Sequence, residues 1–173
     1  TAPPRPEPMP LRRRVPTAAE RDAVRRLVEA PKFELIPLAH VLEAAAALPP
    51  GATVTVTASQ AKGMGPSVEL CGELRARGFE VVAHLSAHLI ADRGELRDLL
   101  RTLAGIGVRR AFVVGGDGVV TGAFADGLDL IRAMAELGHD FTEVGVPCYP
   151  EGHPEISAAR LDGASMNSSA PAA

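Results

Sequence analysis

The chain has no tryptophan, one tyrosine and five phenylalanines in 173 residues. These six aromatics (Phe33, Phe79, Phe112, Phe124, Phe141 and Tyr149) leave little for a platform on which bases stack, so nucleic acid is not an expected partner. Cysteine is equally scarce. Cys71 and Cys148 are widely separated and no CxxC pair occurs, which argues against a disulfide scaffold and for a reduced, cytoplasmic setting. No uninterrupted run of about 18 apolar residues exists, so no membrane-spanning helix is expected. The N-terminal segment has no apolar h-region, so no secretory signal is expected in the chain as given. Excess charge is lacking too: 18 basic residues face 21 acidic ones, for a net charge of −3, which is too small to keep the whole chain unfolded.

What the chain does have is apolar bulk. Hydrophobic residues make up 46% of it, enough for one domain that buries roughly 70% of its unfolded surface. A complete (β/α)8 barrel usually takes about 250 residues, with about 200 as a lower limit. The charge is unevenly spread. Residues 1–26 hold seven arginines against Glu7, Glu20 and Asp22, so the remainder is acidic. Six prolines lie among the first sixteen residues, which read as a flexible Pro/Arg-rich arm (1–16) whose Arg12, Arg13 and Arg14 are solvated. Residues 161–173, uncharged from Gly163 onward, read as a flexible tail. The domain is expected over 17–160.

Within that span strand and helix alternate five times. Thr17-x-x-Glu20 is a capping-box signature opening a helix through Val24, Leu27 and Val28. A strand over 33–37 ends in its own proline, and an Ala/Leu-rich helix over 38–48 stops at Pro49-Pro50-Gly51. Further strands are expected at 53–57, 80–84, 111–114 and 143–148. Between them lie helices starting near Pro66, at the Asp92-x-x-Glu95 cap, and around Phe124, Leu128, Ile131 and Ala135. The strand cores are nearly continuous apolar runs, as sheets covered by helices require, and alternating units imply right-handed crossovers and a mainly parallel α/β sheet. A doubly wound sheet and a barrel share this pattern.

Chemistry-bearing residues gather at strand ends. Thr57 and Ser59 follow the second strand, His84 ends the third, Asp117 follows the fourth, and Tyr149, Glu151 and His153 follow the fifth. In α/β folds this edge is where sites assemble. Glu34 alone lies inside an apolar strand. Burial would favour its neutral form and suit a general acid; on an edge strand it would simply face water. Asp117, among Gly115, Gly116 and Gly118, is either a ligand-facing acid or part of a turn. His84-x3-His88 has helical metal-ligand spacing, but His84 ends a strand, so no metal site is expected. Gly63 and Gly65 lack the third glycine of a dinucleotide fingerprint, Val68 standing there.

Phe33-Glu34-Leu35-Ile36-Pro37, Val56-Thr57, His84-Leu85, Gly116-Asp117 and Tyr149-Pro150-Glu151-Gly152-His153-Pro154 resemble, in order and spacing, the methylenetetrahydrofolate reductases, over about residues 32–157. The wording around His84 and Gly116-Asp117 is most similar to a divergent actinobacterial branch. The resemblance implies a (β/α)8 TIM-type barrel, here incomplete at about five units. It implies hydride transfer from NAD(P)H, through FAD or directly, to 5,10-methylenetetrahydrofolate, giving 5-methyltetrahydrofolate. Glu34 then matches the acid that protonates the folate nitrogen, and Asp117 the acid against pterin and flavin. Thr57, with Ala58 beside it, His84, Gly116, Asp117, Tyr149 and His153 match the cofactor contacts.

The chain also departs from the family. Gly115-Gly116-Asp117 stands where Arg-Gly-Asp is usual, so a flavin-holding arginine is absent, and Ala58 replaces the usual aromatic. The helix expected after the fifth strand gives way to Leu161-Asp-Gly-Ala-Ser. Two readings follow: a reductase of this family, or a half-barrel without catalysis that binds folate or nucleotide or assembles into a homo-oligomer.

Overall fold

The computed structural model describes residues 15–59, 61–116 and 120–149. The chain divides into two compact units, residues 1–31 and 32–173. The described part of the first is one helix, α1 (Ala18–Glu29). The Thr17 hydroxyl accepts from the Glu20 N–H at 3.2 Å, and the Glu20 carboxylate accepts from the Thr17 N–H at 2.7 Å. This reciprocal capping box satisfies two amides that a helix start otherwise leaves unpaired. Val24, Leu27 and Val28 are exposed, and α1 has no buried residue.

The second unit is built on five strands: β1 (Lys32–Leu35), β2 (Thr53–Val56), β3 (Glu80–Ser86), β4 (Arg110–Val114) and β5 (Glu143–Gly145). All pair in parallel, in the order β1-β2-β3-β4-β5. That order has no reversal. A doubly wound sheet reverses at a switch point and sends helices to both faces; repeated right-handed crossovers in one direction send them all to one face. Accordingly α3 (Gly65–Ala76) packs on β2 and β3, α5 (Gly127–Leu137) on β4, and α4 (Arg93–Gly105) touches both neighbouring helices.

The register divides the strands by parity. Val54, Val56, Val81, Ala83, Leu85, Ala111 and Val113 are buried and, with Leu70, Leu74, Leu96, Leu103, Leu130 and Met134 from the helices, form one core. The intervening positions carry Thr53, Thr55, Val82, His84, Ser86, Arg110 and Phe112 and lie on the opposite face, where Val82 and Ser86 are also buried. Of the two arrangements the sequence left open, the strand order fits the barrel-like one, with helices on one face among the described residues. Phe112, read from sequence within an apolar strand core, is on the other.

Local chemistry explains where the elements depart from the sequence reading. β1 stops at Leu35, and α2 (Val41–Ala45) is far shorter than 38–48, because His40 at its start is left-handed, with φ of +64°. β3 runs on to Ser86 because its partner continues: Leu85 pairs with Val113 and Ser86 with Val114. β5 ends at Gly145, two residues before Pro147, which has no N–H to give a ladder. The buried side of α5 is Leu130, Ala133 and Met134, with Ala135 exposed; Phe124 is buried ahead of the helix. At α4, the Asp92 carboxylate accepts from the N–H groups of Gly94 and Glu95, at 2.7 and 2.9 Å.

Three outcomes are expected. Leu74 is fully buried, so Leu74→Ala lowers the unfolding free energy by about 2–5 kcal/mol in urea titration. Leu27→Ala on exposed α1 changes it by about 0.5 kcal/mol or less. Burial pushes the Cys71 thiol up to about 12, while Cys148 is exposed. A thiol reagent therefore titrates Cys148 alone in the native chain and both cysteines in denaturant.

Candidate functional site

The open face of the sheet is where the titratable strand residues meet. In the register Glu34 lies opposite Thr55, so Thr57 is two positions further along the neighbouring strand, on the same face. Its hydroxyl donates to the Glu34 carboxylate, Oγ1 to Oε1, at 2.6 Å. The backbone of Thr57 is fixed on both sides. Its N–H donates to the Leu35 carbonyl at 2.9 Å, extending the β1–β2 ladder by one bond. Its carbonyl accepts from the hydroxyl of Ser67, a buried residue in the first turn of α3, at 3.1 Å. One threonine thus ties β1, β2 and α3 together.

The next two strands supply a ring pair. His84 and Phe112 are register partners, and their rings stack with centroids 4.9 Å apart at 29°. Gly145 is the partner of Phe112 on β5, and a Cβ there would come within 2.9 Å of the Phe112 ring. Glycine at that position leaves the ring its place. His84 is half-buried, and burial holds its imidazole below the ordinary value of 6.5, opposed by the negative charge of Glu34. Acid, hydroxyl, imidazole and phenyl ring therefore run in sequence across four strands.

Beyond the strand ends the loops are clasped by backbone. The single 3₁₀ turn at Ala87–Leu89 is held by the His88 N–H on the Gly115 carbonyl, at 2.9 Å, and by the Thr121 hydroxyl on the His88 carbonyl, at 2.7 Å. His88 Nε2 lies 3.1 Å from the Ala125 carbonyl, and Nδ1 is buried with no hydrogen-bond partner among the described residues. Gly116 has φ of +105°, and a Cβ on it would lie 2.5 Å from Ser86 Oγ and 3.2 Å from His88 Cβ. Only glycine fits this approach. At the other end of the strands Arg110 and Glu143 pair at 3.5 Å.

Of the residues expected at the site, the fold brings Glu34, Thr57 and His84 together and sets Gly116 against Ser86 and His88. Of the two readings open for Glu34, the edge-strand one holds: β1 is an outer strand and Glu34 is exposed, with its carboxylate accepting from the Thr57 hydroxyl. His84 lies within β3 rather than at its end. Ala58 is half-buried and packs against the core, and Tyr149 follows β5 on the surface. Asp117 and His153 lie outside the described residues. Phe112, Ser86 and Ser67 were missed as site residues. Ser86 becomes visible two positions on from His84, whereas Phe112 is placed on this face by the register of β3 with β4.

Among the described residues no group of three metal-ligating side chains converges, and no helix is long and apolar enough to cross a membrane. A dinucleotide's diphosphate can be met by basic side chains or by backbone N–H groups at a helix start. Lys62 is the one lysine or arginine in the loops joining β1–β4 to the helices that follow them, and its ammonium donates to the Pro37 carbonyl at 3.1 Å. Scanned against models of known protein families, the chain matches none.

The half-buried imidazole has a measurable consequence. Because its folded-state pKa is depressed, the unfolded chain binds more protons just below pH 6.5, and stability there rises with pH. Lowering the pH through 6.5 therefore destabilises the chain until the folded imidazole itself titrates. Urea midpoints between about pH 5 and 8 show this slope in the wild type and a smaller one in His84→Gln. Equal slopes in the two proteins would contradict the assignment.

Proposed function

We propose that the chain is a methylenetetrahydrofolate reductase-type oxidoreductase built on part of a (β/α)8 barrel, passing hydride from NAD(P)H, through FAD or directly, to 5,10-methylenetetrahydrofolate. The partial-barrel reading is supported by the unreversed parallel strand order, which leaves the helices on one face and the barrel-interior face open. The observation that carries the function is the Glu34 carboxylate, held by Thr57 in front of the His84–Phe112 stack. An oriented acid beside a flat surface is what a pterin-like substrate needs.

In this reading protonated Glu34 gives its proton to the folate nitrogen of the imidazolidine ring. The carbon–nitrogen bond opens and leaves an iminium at the methylene carbon. The dihydronicotinamide delivers two electrons and a proton as hydride to that carbon, giving the methyl group and NAD(P)+. Covering the open face with the two flat reactants removes water, and desolvation favours the protonated form of a carboxyl. His84 and Phe112 supply the stacking surface. Asp117 and His153 keep their proposed places against pterin and nicotinamide by resemblance, together with Gly116 and Tyr149.

A second reading, a non-catalytic half-barrel that binds ligand or assembles, is favoured by the two outer strands β1 and β5 and the uncovered face. Turnover separates the two. The purified chain is expected to oxidise NAD(P)H in the presence of methylenetetrahydrofolate, assayed with and without FAD. Glu34→Gln should lower kcat by about 10²–10⁴. No turnover by the wild type, with or without FAD, removes the reductase reading for this polypeptide; unchanged turnover in Glu34→Gln removes the acid.

A further inference from the structure

Thr57 entered the sequence reading as a cofactor contact, but its one hydroxyl proton is committed elsewhere. It donates to Glu34 Oε1 at 2.6 Å, at the short end of hydroxyl–oxygen hydrogen bonds. Such a bond orients a carboxylate only if the donor is itself immobile. Here the donor is fixed by three elements: its N–H on Leu35 in β1, its own place in the β2 chain, and its carbonyl under Ser67 of α3. Its β-branched side chain also has few rotamers to lose. Glu34 by contrast is exposed, and nothing but this hydroxyl bonds its carboxylate among the described residues.

We propose that Thr57 is a positioning residue that decides which oxygen of Glu34 carries the proton and where it points. This rests on the reductase reading above and deepens it. With Oε1 accepting from the hydroxyl, Oε1 takes the carbonyl role in the protonated acid and the proton sits on Oε2. Transfer from Oε2 to the folate nitrogen breaks the Oε2–H bond, forms the N–H bond and leaves a carboxylate. As that negative charge develops, the bond from Thr57 becomes charge-assisted and strengthens, so it favours the step as well as the aim. Thr57 touches the acid, not the reacting atoms.

Two variants and two readouts test this. Thr57→Val keeps the branched shape and removes the donor; Thr57→Ser keeps the donor. The valine variant is expected to lower kcat roughly tenfold to a hundredfold while changing KM for methylenetetrahydrofolate by less than about threefold, and the serine variant to recover most of the loss. Independently of turnover, three-bond NMR couplings across the Glu34 Cα–Cβ and Cβ–Cγ bonds should show one dominant rotamer in the wild type and in Thr57→Ser, and averaging in Thr57→Val. Thr57→Ala repeats both measurements if valine disturbs the strand end. An inactive wild type sinks the reductase reading, yet the couplings still decide whether Thr57 orients Glu34. An active wild type with unaltered couplings and kcat in Thr57→Val overturns the positioning role and leaves the reductase standing. Failure of serine to recover either readout also overturns it.

Discussion

Everything in the second unit depends on five parallel strands paired in register, with side chains alternating between two faces. Parity in β2 separates Val54 and Val56 from Thr53 and Thr55, and the same alternation recurs in β4, while in β3 Val82 and Ser86 on the second face are buried too. One set meets the helices and is dry. The other set is spared from core packing and is free to carry polar groups. Because β1 to β5 follow one another without reversal, no later helix returns to cover the second face among the described residues. A one-residue slip would exchange the two sets, so the site and the core are specified together.

That arrangement makes the site a property of neighbouring strands rather than of a loop. The Glu34–Thr57 bond spans the first two strands and the His84–Phe112 stack spans the next two. Ser67 carries the tie outward to α3, so the helix layer braces the acid's partner from behind. Gly145 and Gly116 contribute by absence: one leaves space for the Phe112 ring, the other lets the chain pass Ser86 and His88. Glu34 is exposed, whereas its donor Thr57 is half-buried.

Much of the fold was legible because its signals are local. The β-branched run at Thr53 to Val56, the caps at Thr17 and Asp92, and the glycine after α5 each act within a turn or two of chain. What the sequence concealed depends on partners far along it. The extension of β3 to Ser86 is set by Val114, and the choice between a buried and an exposed Glu34 by the outer place of β1. The apolar run Ala111-Phe112-Val113-Val114 looks uniform, yet parity gives Phe112 to the site and its neighbours to the core. α5 carries apolar residues on more than one side, so periodicity chose Leu128 and Ala135 where packing chose Leu130, Ala133 and Met134. Chemistry was legible in Glu34, Thr57 and His84; the bond that joins the first two was not, since twenty-three positions separate them.

The division of the sheet into a dry face and a working face is open to one direct measurement. Single cysteines are placed at Thr55, Val56, Phe112 and Val113 in a Cys148→Ala background, and their alkylation rates are compared under native conditions. Thr55→Cys and Phe112→Cys should react readily, and Val56→Cys and Val113→Cys at least about a hundredfold more slowly, since labelling there requires opening of the core. Equal rates at adjacent positions, or protection of Thr55→Cys and Phe112→Cys with reaction at the valines, would contradict the one-sided sheet and the site built on it.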